Sequence, residues 1–559
     1  MAKTQNEILK QVTTTYLATL NPARLPTPAT IEETLIAATN KEYTLENLGR
    51  TGSHRINLLK SLTFSQVAQI LITLHRVARI APSGKNTDRD YDLLAIYVAD
   101  GPDEGIYATS EDQIRGIARL YNRELTINDS REVMTVLREE APRLERCSDR
   151  DIIAVNNGLF DYRTKELHPF SPEYVFLSKA RVDYNASAQN HGILTPDGET
   201  WDVESWMHTL SDDQEVIDLL WEILGAIVRP RVRWNKSAWF YSVMGNNGKG
   251  TLVELMRNLV GTASYASIPI NDFGKDFLLE PLTRASAILV DENDVGTFID
   301  KAANLKAVIT NDVISINRKY KTPISYQFWG FMVQCLNEFP RIKDKSESFY
   351  RRQLFVPFTK SFTGAEKRYI KDDFVTRDEV LEYVLHRVLH MNHYTLSEPA
   401  ATQLVLDEYK GFNDPVRAFW EEFEDVFVWD LLPFGFLYDL YKAWFAKTNP
   451  SGSPIGRNVF MADLFTVVQK SKGWYSLDKN QRIRSANRMV APEPLIDQFG
   501  LVDWTNKSYS GKDWKKRCIV HPLVDSYRGI QRSVAPAAGT APSTAVASVV
   551  AAPFEDVAA

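Results

Sequence analysis

Ala238-Trp239-Phe240-Tyr241-Ser242-Val243-Met244-Gly245-Asn246-Asn247-Gly248-Lys249-Gly250-Thr251 runs from an apolar segment into a glycine-rich turn. The next residues place Leu252, Leu255, Met256 and Leu259 on one face of a helix. Glycines let a backbone wrap its N–H groups around a phosphate, and the helix start adds a favourable dipole. Gly245, Asn246, Asn247, Gly248, Lys249, Gly250 and Thr251 are therefore the candidate nucleotide cradle, with Lys249 reaching the β- and γ-phosphates. Two positions depart from the general GxxxxGK[ST] pattern. Its first glycine falls on Val243, and Gly250 has no hydroxyl for Mg²⁺, a role that passes to Thr251 one place later.

Downstream, Ala287-Ile288-Leu289-Val290-Asp291-Glu292 describes a buried parallel strand whose end presents two carboxylates. Asp291 is the candidate Mg²⁺ ligand and Glu292 the group that activates the attacking water. A second apolar stretch, Phe331–Leu336, ends at Asn337, an amide able to orient water against a γ-phosphate. Arg351 and Arg352 precede another apolar strand, and one of them is a candidate arginine finger for a neighbouring subunit's nucleotide; the alternative is a structural ion pair. Between these lies Asn311–Pro323, read as a hairpin carrying Arg318, Lys319, Tyr320 and Lys321. Cations track phosphates and a tyrosine stacks on a base, although a solvated basic hairpin has the same composition.

Taken in order, the phosphate loop, acidic strand, basic hairpin, strand-end asparagine and arginine pair resemble a superfamily 3 helicase. The likeness is to the helicase part of the phage and plasmid primase-helicases and the poxvirus-type NTPases. The segment Asn156-Asn157-Gly158-Leu159-Phe160-Asp161, with Pro169–Pro172 after it, is similar to the region preceding the motor in those proteins. The resemblance covers residues 90–360 and extends less firmly to 532. It implies an AAA+-like ATPase core, ATP and Mg²⁺ as cofactors, and a homo-hexamer moving 3′→5′ on single-stranded DNA and opening forked DNA in phage or mobile-element replication. It makes Lys306, Arg318, Lys319 and Lys321 pore contacts, and a replication initiator, primase or polymerase a possible partner. Two rivals stay open: a bifunctional primase-helicase, and a DNA-binding initiator whose NTPase is only a switch.

The whole chain of 559 residues carries 65 Lys and Arg against 71 Asp and Glu, a net charge of −6. This excludes a polybasic coat protein but not a basic pore inside an acidic whole. Three scattered cysteines, Cys147, Cys335 and Cys518, argue against a disulfide-built secreted protein. With no membrane-length apolar run, the expectation is a soluble cytoplasmic protein.

The fold expected is α/β, in six parts. Residues 1–90 form a mostly helical region of unknown role and 91–204 an α+β pre-motor region. The ATPase core spans 205–365, a helical connector 366–410, a winged-helix-like DNA-binding module 411–532, and a disordered Ala/Pro-rich tail 533–559. In the fifth part, late strands are expected to flank Trp504–Lys507 and Trp514–Cys518, which makes Lys507, Lys512, Lys515, Lys516 and Arg517 candidate phosphate contacts. Three features are set aside. Ser83-Gly84-Lys85 lacks the upstream glycine of a phosphate loop. His386, His390 and His393 lack a completing ligand for zinc and read as exposed residues of a helix end. The tip Pro553–Val557 reads as linker.

Overall fold

The structure, a computed structural model, describes residues 3–21, 24–84, 87–319, 321–448, 453–469, 471, 473–475 and 480–533. The readings made for Lys85, Tyr320, the side chain of Lys321, Lys470 and residues 534–559 lie outside these. The chain divides into two compact units, one ending at Asn413 and the next beginning at Asp414. Among the described residues no helix is long and apolar enough to cross a membrane.

A five-stranded, all-parallel sheet organises the first unit. Its spatial order is Tyr265–Ala266, Ala287–Val290, Phe331–Leu336, Ser237–Tyr241, Gln353–Pro357. The interior strands are buried along almost their whole length, as strands covered on both faces must be. Side chains alternate between two cores. Ala238, Phe240, Leu289, Val333 and Val356 join one with the helices Gln214–Val228, Lys249–Val260 and Asp378–His390. Trp239, Ile288, Val290, Met332 and Phe355 face the other, with Ala303–Ile309 and Leu406 and Tyr409 of Ala400–Asn413. The helices after residue 366 are thus part of the two cores of this sheet rather than a connector.

The boundary expected at residue 90 is likewise no break in packing. Helices Gln5–Thr19, Pro28–Asn47 and Phe64–Leu74 do form, and Thr63 caps the third by accepting from the Gln66 N–H. However, strand Ala78–Ala81 lies between Leu93–Tyr97, antiparallel, and Arg143–Glu145, parallel. Leu17, Ile31 and Leu35 share one core with Ile96, Ile114 and Leu137. The pairing with Arg143 spans more than sixty residues, so no local pattern announces it. A three-stranded antiparallel meander, Ile152–Val155, Gly158–Asp161 and Glu166–His168, precedes the sheet.

The second unit builds an aromatic core from Phe419, Trp420, Trp429, Phe436, Tyr441 and Phe460. Its order is helix Pro415–Phe423, strand Leu431–Pro433, helices Phe434–Thr448 and Arg457–Val468, then strand Trp474–Tyr475. Strand Ser526–Arg532 pairs antiparallel with both of these strands and with Arg482–Arg484. The strands expected around 504–517 are absent: Val502–Trp504 is a 3₁₀ turn and Trp514–Arg517 a single helical turn capped by Asp513. The aromatic and basic residues there suggest a strand, but Asp513 accepting from Lys515 N–H nucleates a helix start instead.

Candidate functional site

The parallel arrangement sends the ends of three neighbouring strands to one edge of the sheet. Register pairs Tyr241 with Leu336, and Val290 with Gln334, so the turn after Tyr241, Asp291 and Asn337 emerge side by side. The turn itself needs left-handed backbone at Asn246 (φ 52°) and Gly248 (φ 86°). Asparagine tolerates that region, and at Gly248 any Cβ would also stand 2.5 Å from Leu210. Asn247, buried, holds the turn closed by donating to Met244 O at 2.5 Å. Gly248 then caps the 12-residue helix Lys249–Val260, whose first N–H groups are available at its start to an anion.

Lys249 is only 6% exposed and donates from Nζ to Asn337 Oδ1 at 2.9 Å and to Leu336 O at 3.3 Å. The structure thus joins two residues picked 88 positions apart. Burial pushes the Lys249 pKa down, an effect that Cys335 and Asp291 oppose. Glu292 is exposed beside the half-buried Asp291. Between them and the sheet, buried Asn293 donates to Gln334 Oε1 and Cys335 O, both at 3.0 Å, and accepts from Ile270 N–H at 2.9 Å. This amide, unread in the sequence, fixes the acidic strand's end against the asparagine-bearing strand.

Gly250 acquires a reason. A Cβ there would stand 3.0 and 3.2 Å from the Asp291 carboxylate oxygens and 3.2 Å from Lys371 Nζ. The helix thus brings Gly250 against Asp291, and Thr251, about 100° further round, lines the neighbouring cavity. Lys371 Nζ lies 3.7 Å from Asp291 Oδ2, a half-exposed pair worth well under ~1 kcal/mol and readily exchanged. Its only sequence signal is the basic run Lys367-Arg368-Tyr369-Ile370-Lys371.

The cavity, about 770 Å³, opens beside the phosphate turn between residues 195–209 and 362–372. Trp201, Trp206, Phe362 and Ile370 supply apolar wall, with Arg368 and Lys371 at its polar side. The turn is tied to this second wall: Phe362 N–H donates to Asn246 O at 2.7 Å, and Asn246 Nδ2 to Glu366 Oε1 at 2.9 Å.

Arg351 and Arg352 lie at the opposite edge, where Gln353–Pro357 begins. Five strand residues separate them from the phosphate edge by roughly 17 Å, beyond reach of the same chain's Lys249. Arg352 is tied back to Ser348 O and Oγ, the latter at 2.8 Å, and burial lowers its pKa. Arg351 is exposed.

The hairpin forms as read, from Val313–Arg318 and Lys321–Gln327 with a register shift near Arg318. Arg318 crosses it to Thr322 O at 3.2 and 2.9 Å, and Lys319 is exposed at the tip. Lys306 lies outside the hairpin, and its half-buried Nζ pairs with Asp344 at 2.6 Å. In the second unit Arg517 pairs with Asp497, while Lys515 and Lys516 are exposed. The more concentrated charge there lies on the ribbon of Arg482–Arg484 and Ser526–Arg532. Arg482 stands opposite Arg528, with exposed Arg484 two residues on along the same face. His386 and His390 stack 4.1 Å apart and each lies 6.1 Å from Tyr184; of the three histidines only His390 is exposed.

Three family models match segments of the chain. Residues 240–352 match a family of unknown function (DUF5906), residues 100–212 one described as D5 N terminal like, and residues 412–494 one described as Poxvirus D5 protein-like. D5-like segments therefore flank the parallel sheet on both sides in the sequence. Among solved structures, the chain is similar to the A form apo structure of the NrS-1 C terminal region, with 12% identity over 84% of this chain and 98% of that one, at a TM-score of 0.41. A second A form apo structure of that region, residues 305–718, aligns with 13% identity over 84% and 100% of the two chains, at 0.42.

Proposed function

We propose that this chain is an ATP-driven DNA helicase of the superfamily 3 kind, with an AAA+-like core, acting as a homo-hexamer in replication. One observation carries the reading: Lys249 at the phosphate turn bonds Asn337 at the end of the adjoining strand, with Asp291 and Glu292 at the end of the next. That strand order sets Lys249, Asn337 and the acid pair along one edge, in the arrangement this reading needs for a phosphate cation, a γ-phosphate sensor and a metal site.

Lys249 donates to Asn337 across the edge. An incoming β,γ-phosphate competes for the ammonium, and Asn337 is released to meet the γ-phosphate and the attacking water. Glu292, exposed and beside Asp291, orients that water and accepts its proton. Asp291 fits a divalent cation, since the Lys371 ammonium already stands against its carboxylate; Asp291, with the Thr251 hydroxyl, directly or through a water, would hold Mg²⁺. Bound Mg²⁺ supplies charge neutralisation at the phosphates. The nucleoside occupies the cavity walled by Trp206, Phe362 and Ile370. Arg351, exposed at the far edge, acts on the neighbouring subunit's nucleotide, while Arg352 braces Ser348. The hairpin with Arg318, Lys319 and Lys321 tracks one DNA strand, with 3′→5′ polarity as the expected direction. The helix–strand–helix–helix–strand order of the second unit supports a winged-helix reading, its contact face being the ribbon of Arg482, Arg484 and Arg528 rather than Lys515–Arg517.

A forked duplex labelled on one strand tests this. Strand release that requires ATP hydrolysis and a 3′ tail is the expected result. ATP turnover with no strand separation would contradict the motor and favour a nucleotide switch.

A further inference from the structure

Below the sheet, at the edge where its strands begin, a second polar cluster gathers residues from segments distant in sequence. Arg231 precedes strand Ser237–Tyr241, Trp329 precedes Phe331–Leu336, and Arg284 and Ser286 precede Ala287–Val290. Arg146 comes from the end of the pre-motor strand Arg143–Glu145, and Ser178 from the segment after the meander. Together Arg146, Ser178, Arg231, Arg284, Ser286 and Trp329 line one small cavity.

The cations here are not arranged as ion pairs. Arg231 lies 5.5 Å and Arg233 5.2 Å from the centre of the same Trp329 ring. Arg146 stands 4.8 Å over the Tyr326 ring and donates to its hydroxyl at 2.9 Å and to Gln327 O at 2.8 Å. Among the described residues no carboxylate lies within ion-pair distance of Arg146, Arg231, Arg233 or Arg284, although the chain is acidic as a whole. Burial and the nearby Arg146 push the Arg231 pKa down to about 9, a cost that an anion against the guanidinium removes. Arg233 and Arg284 are exposed and Trp329 is half-buried, so the cluster is reachable from solvent.

Guanidinium groups around aromatic faces, free of acids, are what a phosphodiester strand with stackable bases needs. We infer that Arg231, Arg233 and Arg284 around Trp329 form a second site for single-stranded DNA, at the strand-start edge of the sheet and distinct from the hairpin tip. Arg146 positions this site, being committed to Tyr326 and Gln327. The inference rests on the reading that the chain binds single-stranded DNA, and places part of that binding at the base of the hairpin rather than its tip.

The test is fluorescence anisotropy of the full chain with labelled oligo(dT) over a range of salt concentrations. The exposed pair is changed together, Arg233→Glu with Arg284→Glu, because neither side chain supports the core; Trp329→Ala is measured beside them. Expected is at least tenfold weaker binding for the double variant, with a salt slope shallower by about two. ATP turnover without DNA should stay unchanged. Equal affinity and slope in wild type and variants would overturn the second site while leaving DNA binding itself intact. Absence of oligo(dT) binding by the wild type would overturn both.

Discussion

Where the strands of the parallel sheet finish, the cations have found acceptors: Lys249 bonds Asn337 and Lys371 stands against Asp291. Where the same strands begin, Arg231, Arg233, Arg284 and Arg351 have no carboxylate within ion-pair distance among the described residues. The first arrangement is neutralised from within, so a ligand must exchange partners to enter it, which suits a site that opens and closes with each nucleotide. The second keeps its field directed outward, which suits groups that wait for phosphate from another molecule. At the strand-start edge Lys236 is paired, with Glu398 at 2.7 Å, so the arginines named carry the contrast.

The sharpest way to break this contrast is at the arginines. Arg351→Ala should lower ATP turnover about 10³-fold, the range of an arginine finger, whereas Arg352→Ala should mainly lower Tm by freeing Ser348. Mixing Arg351→Ala with Lys249→Ala protomers should restore part of the activity, because each interface needs one intact Lys249 and one intact Arg351. No recovery on mixing would place the finger elsewhere.

At the opposite edge, pH gives a second handle. Burial lowers the Lys249 pKa in the free protein, and bound phosphates raise it again. Nucleotide binding should therefore take up protons on the alkaline side, and affinity should fall as pH rises through the lowered pKa, by at most about tenfold per unit. Calorimetry in buffers of different ionisation enthalpy would count those protons, and Lys249→Arg should remove the effect. Smaller still is the effect of Lys371→Ala. With its resident cation gone, Asp291 should accept Mg²⁺ more readily, and the Mg²⁺ needed for half-maximal turnover should fall by a few-fold.

What the sequence made legible was local. Gly245–Thr251, Asp291, Glu292 and Asn337 each sit at the end of an apolar run, where hydropathy and residue type alone mark a strand tip. The hairpin was legible for the same reason. What it concealed depends on pairings between distant segments. Gly250 departs from the phosphate-loop pattern, and only the structure shows Asp291 and Lys371 standing against the space a Cβ there would take. Asn293 reads as one more polar residue after an acid pair, and its three partners come from two other segments. Lys306 reads as a free cation because Asp344 is 38 positions away. The arginines around Trp329 carry no motif, since segments near 146, 231, 284 and 329 supply one each.

The central claim is that the Lys249–Asn337 and Asp291–Glu292 edge hydrolyses ATP to move DNA. ATP hydrolysis measured with and without single-stranded DNA, for the wild type, Lys249→Ala and Glu292→Gln, tests it most directly. The account predicts DNA-stimulated turnover that both substitutions reduce by at least about 10²-fold, with Glu292→Gln still binding nucleotide. Turnover that persists in either variant, or that ignores DNA in the wild type, would contradict it.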